Sequence, residues 1–398
     1  MLEFSQGQTV KSSGQKTALQ VPMLDLGRGY AGIREEVLEA IARVCDSQHY
    51  ILGEEVTAFE REFATLCGTA HAVACASGTD ALWLGLAASG IKTGDSVITT
   101  PFSFFATASS IVRAGARPGF VDSEAATLNI DPGKVRQKLQ AASPSPQAIM
   151  PVHLYGQCAD MEDLTRIAGE FGLAVVEDAA QAVGSAWNGK IAGSLGGSAA
   201  FSFYPTKNLS AFGDAGILTT NDPELAERAR SLRNHGSKQR YYHDEIGANS
   251  RLDSIQAAVL RVKMKRLPQW NKERADRARV YDQLFERAGL VGSANHKATK
   301  VALLKTRPQA LHIFHQYVVR VPQRDELRNF LKQRGVSTEI YYPVPLHLQK
   351  CFAYLGHAEG DLPEAERAAK DVLALPMFPE LKIEEQKYVV ENIAEFFS

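Results

Sequence analysis

The chain has 398 residues, of which 45% are apolar and 22% charged, and its formal net charge is −1. That length accommodates one large domain and a smaller one, and nearly cancelled charge without a basic stripe argues against a dedicated nucleic-acid surface. No apolar run approaches the roughly 20 residues of a membrane helix, and Cys45, Cys67, Cys75, Cys158 and Cys351 lack CxxC spacing, so reduced thiols in a cytoplasmic protein are expected.

In chain order, residues 1–20 are polar, lack an apolar signal core and read as a loose tail. Ile33, Val37, Leu38, Ile41 and Val44 recur at helical spacing, and Val56, Phe59, Phe63 and Leu66 repeat it after a turn at Gly53. Residues 70–76 (AHAVACA) predict a short apolar strand. Ser77-Gly78-Thr79-Asp80 is a turn with helix-capping character, and 81–88 a helix. Strands are expected at 97–100, 118–121, 148–152 and 174–177, with a helix at 161–171 between the last two. Alternation of this kind, running to about Thr220, predicts an α/β domain with a largely parallel sheet covered on both faces. Helices at 223–232 and 254–266 follow. Beyond Pro268 come a charged helix (271–288), an irregular stretch (291–311), strands at 315–321 and 337–342, and a helix at 325–334. Two helical patterns flank LPMFPEL within 363–397. The expected division is a tail (1–20), a large domain (21–268) and a smaller α+β domain (269–398) on which the N-terminal helices pack.

Three constellations carry chemistry. Ser77-Gly78-Thr79 lies between a strand and a helix, where free N–H groups and the positive dipole end suit an anion, although the same residues serve as ordinary caps. In AVVEDAAQAVGS, Asp178 directly follows an apolar strand, where open α/β sheets present ligand sites. It can cap the next helix or pair with a protonated ring nitrogen, and Gln181 lies one turn on. In FSFYPTKNLSAFGDAG, aromatic strand residues stop at Pro205 and put Thr206 and Lys207 in a tight loop. Such a lysine is either solvated or, in a dry pocket, a nucleophile. Anion cradle, ring-nitrogen acid and strand-end lysine, in this order, are what pyridoxal phosphate requires. His153, His235, His315 and His347 show no metal-ligand spacing, and no metal is expected.

These stretches, with LGEEVTAFEREFA, ASGTDALWLGL, GDSVITTPFSFFATA, GANSRLDSIQAAV and YYPVPLH, resemble the DegT/DnrJ/StrS-type pyridoxal-phosphate sugar aminotransferases over nearly the whole chain. The resemblance implies the aspartate-aminotransferase-like fold (fold type I) and a homodimer with shared active sites. It makes Lys207 the Schiff-base lysine and Asp178 the partner of the pyridine nitrogen. Gln181 then lies near O3′, Gly78, Thr79 and Ser202 hold the phosphate, and Phe104 stacks on the ring. Asn249 reaches the phosphate from the other subunit. Substrate contacts are implied at Tyr50, Gly53, Tyr204, Tyr342 and His347. Relatives often carry histidine where Tyr204 and Tyr341 stand, and glycine where Ala215 stands.

The activity so implied is ping-pong transamination of a dTDP- or UDP-linked 3-keto hexose with L-glutamate as donor. The C3 position is suggested by GANSRLDSIQAA. Two alternatives are a dehydratase of the same family, against which Lys207 argues because histidine replaces it there, and a catalytically silent cofactor-binding regulator.

Overall fold

The computed structural model describes residues 19–291 and 300–398; the expected tail falls almost wholly outside them, as does part of the irregular 291–311 stretch. A seven-stranded sheet forms the larger body. Its order is His71–Cys75, Gly216–Thr220, Ser198–Ser202, Ala174–Asp178, Ala148–Met150, Ser96–Thr99 and Arg117–Phe120. Only Gly216–Thr220 runs antiparallel to its neighbours; the other six strands point one way, so their carboxyl ends share one edge.

Local chemistry sets the elements. Asp160 Oδ1 accepts from Asp163 N at 3.2 Å and starts the Met161–Phe171 helix, while Asp222 caps Pro223–Leu232, whose first residue is a proline with no N–H to satisfy. On the Ser198–Ser202 strand the side chains alternate. Phe201, and Phe203 just past the strand, meet Phe59 and Phe63 edge-on at ring distances of 5.0–5.4 Å, whereas Ser202 faces the other way, toward Gly78. That aromatic core anchors the strand leading to Lys207.

A second core surrounds the antiparallel sheet Ala302–Leu303, Tyr317–Arg320 and Val372–Leu375. The helix Leu267–Arg287 runs between the two: Leu267 packs in the first core, and Ala278, Tyr281 and Phe285 in the second. The expectation that the N-terminal helices pack on the C-terminal part is corrected. Ile33, Val37, Ala40 and Val44 bury against Ala258, Val259 and Val262 of the Ser254–Met264 helix, and the Glu54–Cys67 helix packs on that same helix. Only the segment before them crosses over. Val21 N donates to Gly335 O at 2.9 Å, and Arg28 pairs with Glu385 at 2.7 Å.

Two further readings are corrected. Residues 337–342 are not a strand: within them only Glu339 forms a bridge, with Ala374 of the last strand. The apolar Val372–Leu375, expected inside a helical tail, pairs antiparallel with the central strand Tyr317–Arg320 and starts immediately after the helix Pro363–Asp371. The helices Phe105–Arg113 and Pro132–Ala141 were not anticipated. Among the described residues no helix is long and apolar enough to cross a membrane, and all five cysteines are unpaired.

Candidate active site

The shared strand edge gathers the chemistry. After His71–Cys75, Ser77 caps the Gly78–Ala88 helix: its Oγ accepts from Asp80 N at 3.1 Å and its carbonyl from Ala81 N. The Gly78 and Thr79 N–H groups are left without a protein acceptor among the described residues, as helix geometry demands of the first turn. The backbone is crowded here. A Cβ on Gly78 would lie 2.6 Å from Ser202 Cβ, and one on Gly216 would lie 2.3 Å from the Ser77 carbonyl, so only glycine allows the helix start and the two strand ends to meet. Gly78 and Ser202 thereby face each other, with Thr79 the next residue of the helix start.

Asp178 ends the Ala174–Asp178 strand and is 4% exposed. Burial raises its carboxyl pKa, opposed by hydrogen bonds from Thr107 Oγ1 (2.7 Å) and Ala180 N (3.2 Å) and by the charge of Lys207. Lys207 sits in a turn just past Ser198–Ser202, its N–H bonded to Tyr204 O at 2.8 Å. Burial drives its ammonium down to about 8, against the upward pull of Asp178. The two groups thus act on each other, and the neutral amine of Lys207 appears at lower pH than that of an ordinary lysine.

Gln181 is a bridge. Its Oε1 accepts from Tyr155 N at 2.6 Å and its Nε2 donates to Tyr342 Oη at 2.9 Å. This holds Tyr342, 6.2 Å from the exposed ring of Phe104, beside the Asp178 strand end. Tyr204 is exposed next to Lys207. One strand residue back from Asp178, Glu177 faces the interior, where it accepts from His153 Nε2 at 2.9 Å and from the N–H groups of Gly193, Leu195 and Gly196. His153 Nδ1 accepts from Ala159 N, so the ring is tied on both sides and serves to brace the strand.

Four expected positions lie elsewhere in the single chain. Tyr50 and Gly53 line a separate surface cavity of about 930 Å³ with Arg61 and Arg261, away from Lys207. Asn249 is exposed and bridges Asn234. His347 is corrected: it is 1% exposed, its Nε2 meets Glu366 Oε1 at 3.0 Å, and its ring packs on Phe120, so it is a core histidine. Thr107, which meets Asp178, and Ser103, which meets Thr107, escaped the sequence reading. Their only signal was two hydroxyls four residues apart in SFFAT.

The sequence matches the DegT/DnrJ/EryC1/StrS aminotransferase family over residues 31–394. The chain belongs to this family. It is 44% identical over 377 residues to the dTDP-3-amino-3,4,6-trideoxy-alpha-D-glucose transaminase of Streptomyces venezuelae, covering 95% of this chain and 96% of that one. It is 51% identical over 379 residues to a Geobacillus stearothermophilus protein named pleiotropic regulatory protein, covering 95% and 99%. Among solved structures, DesV from S. venezuelae in complex with a ketimine intermediate superposes with a TM-score of 0.89 at 44% identity, covering 95% of this chain and 98% of that one. The fold is accordingly the aspartate-aminotransferase-like one, type I, as the sequence led us to expect.

Proposed function

We propose that this aminotransferase binds pyridoxal phosphate and transfers an amino group from L-glutamate to the C3 ketone of a dTDP- or UDP-linked keto hexose. The observation that carries the reading is that buried Asp178 and Lys207, an amine poised at about 8, act on each other's charge at the strand edge that also carries Gly78, Thr79 and Ser202.

The residues fit the cofactor. The unpaired Gly78 and Thr79 N–H groups, at the positive end of an 11-residue helix, suit a phosphate dianion. Asp178 suits a protonated ring nitrogen, and exposed Phe104 gives an aromatic face to cover the ring. Gln181, already fixed by Tyr155, would be the residue that meets O3′ of the ring. Bound there, pyridoxal phosphate supplies an electron sink that stabilises negative charge at the amine-bearing carbon of the substrate. Asp178 holds the proton on the ring nitrogen. Lys207 Nζ, as the neutral amine, would take the proton from the amine-bearing carbon of the substrate and hand it to C4′ of the cofactor within the same half-reaction, and the second half would run that transfer in reverse. Tyr204 and Tyr342 flank the entrance and orient the sugar.

The exposed aromatic rings Phe104, Phe105, Tyr204 and Phe212 support burial against a second copy, and we assign a homodimer in which Asn249 of the partner subunit completes the phosphate site. Tyr50 and Gly53, remote from Lys207 in their own chain, belong on that reading to the partner's sugar site. Five unpaired cysteines accord with the reducing cytoplasm.

The regulatory name of the Geobacillus relative favours a second reading, a cofactor-binding protein without turnover. Purified protein incubated with glutamate and a panel of nucleotide-linked keto sugars, followed by mass, separates the two. Conversion of a 3-keto sugar to its amino sugar supports transamination. Loss of water from the sugar points to the dehydratase, and an unchanged panel points to the regulator.

A further inference from the structure

Thr107 has no exposed surface, and its Oγ1 lies 2.7 Å from Asp178 Oδ2 and 2.8 Å from Ser103 Oγ. An ionised carboxylate has no proton to give, so Thr107 is the donor to Asp178. That uses the one hydroxyl proton of Thr107, and Ser103 must therefore donate to Thr107. The result is a directed chain, Ser103 to Thr107 to Asp178, buried from end to end.

We propose that Thr107, held by Ser103, is a positioning residue that fixes the orientation and the ionised state of the Asp178 carboxylate toward the ring nitrogen of the cofactor. The proposal rests on the cofactor reading given above.

Three features of the chain carry it. First, the terminal torsion of an aspartate is broad, and the other oxygen of Asp178 has only a 3.2 Å contact from Ala180 N. The 2.7 Å bond from Thr107 supplies the missing constraint. Second, a helical threonine ordinarily turns its hydroxyl back to the carbonyl four residues earlier. Here the residue four earlier is Ser103, just before the Phe105–Arg113 helix, and its hydroxyl rather than its carbonyl meets Thr107. The hydroxyl of Thr107 is thereby free to point at Asp178.

Third, the surroundings make this hydrogen bond consequential. Burial pushes the Asp178 carboxyl up, and the Thr107 bond is the largest influence in the other direction, followed by Ala180 N–H and the charges of Lys207 and His153. Lys207 faces Asp178 from the loop after Ser198–Ser202, His153 from the loop after Ala148–Met150, and the Tyr342 hydroxyl from the C-terminal part. Glu177, the neighbouring acid, is occupied by His153 and three backbone N–H groups. Loss of the Thr107 hydroxyl leaves the burial intact and removes its main counterweight, which favours the neutral acid.

The test uses full-length protein with Thr107→Val, Thr107→Ser and Ser103→Ala. In the cofactor-free protein carrying carboxyl-labelled aspartate, the Asp178 resonance is assigned by its absence in Asp178→Asn and titrated. Thr107→Val should raise its midpoint by about one pH unit or more, Ser103→Ala should raise it less, and Thr107→Ser should restore the wild-type curve. The dissociation constant of pyridoxal phosphate, read by fluorescence, should rise about tenfold in Thr107→Val and stay within about twofold in Thr107→Ser. A folded Thr107→Val that titrates as wild type overturns the proposal, as does a Thr107→Ser that behaves like the valine variant. Should the valine variant not fold, an unchanged midpoint in Ser103→Ala overturns it instead. A shifted titration in a protein that binds no pyridoxal phosphate overturns the cofactor reading alone and leaves the hydroxyl chain standing.

Discussion

Asp178→Asn removes a charge and almost nothing else. The side chain is 4% exposed, and an amide of the same size still accepts from Thr107 Oγ1 through its own oxygen, so packing and the 2.7 Å contact survive. What is lost is the charge that acts on Lys207 and, with cofactor bound, the negative partner of the protonated ring nitrogen. Deleting one member of a buried charge pair costs about 3–5 kcal/mol. If that cost falls on the transition state, each factor of ten being about 1.4 kcal/mol, turnover drops by about two to four powers of ten. Cofactor affinity should fall far less, because Gly78, Thr79 and Ser202 are untouched. Stopped-flow absorbance with glutamate gives the first quantity and fluorescence titration with pyridoxal phosphate the second. Turnover within about threefold of wild type would show that Asp178 is only a cap on the turn through Ala180, and the electrostatic argument would be refuted.

Lys207 makes a pH prediction. Its ammonium is depressed from an ordinary 10.5 to about 8, so the neutral, nucleophilic amine appears as pH rises through about 8. In the cofactor-free protein an amine-acylating reagent should label the Lys207 peptide along a curve with that midpoint. A curve rising only toward 10.5 contradicts the desolvated site, and peptide mapping keeps the signal separate from that of Lys263, also lowered to about 8. Gly78→Ala places a methyl 2.6 Å from Ser202 Cβ, so the phosphate donors must shift apart. Pyridoxal phosphate should bind at least about tenfold more weakly, by fluorescence titration, and unchanged affinity would remove Gly78 from the cradle. For the shared site, a dimer of one Lys207→Ala chain and one Asn249→Asp chain, isolated by two tags, concentrates both lesions in a single site. It should regain up to about half the native activity although both parent homodimers are nearly inactive; a mixed dimer as inactive as its parents withdraws the role of Asn249 across the interface.

The parts of the site legible in the sequence are those written into contiguous stretches. Asp178 at a strand end and Lys207 in a turn past an aromatic strand follow from local pattern, since Pro205 halts the ladder and the apolar run stops at Glu177. The turn at Ser77 and Gly78 was readable for the same reason. Thr107 was not, because its partner Asp178 is 71 positions away and a hydroxyl gives no periodic signal. His347 shows the opposite failure: its place in YYPVPLH suggested substrate, but Glu366, on the helix Pro363–Asp371, draws the ring into the core. In the fold, the parallel sheet declared itself through strand–helix alternation. Val372–Leu375 did not, since an apolar run continuing directly from a helix has no breaker to mark the change.

The central claim, that the amine of Lys207 and the charge of Asp178 serve transamination, is tested most directly by a half-reaction. Protein loaded with pyridoxal phosphate is mixed with L-glutamate in the absence of any sugar, and 2-oxoglutarate is quantified against active sites. The account predicts close to one equivalent released from the wild type, accompanied by conversion of the cofactor to its amine form, and none from Lys207→Ala. Absence of 2-oxoglutarate and of any spectral change with the wild type, with glutamate or any other common amino acid, would contradict it.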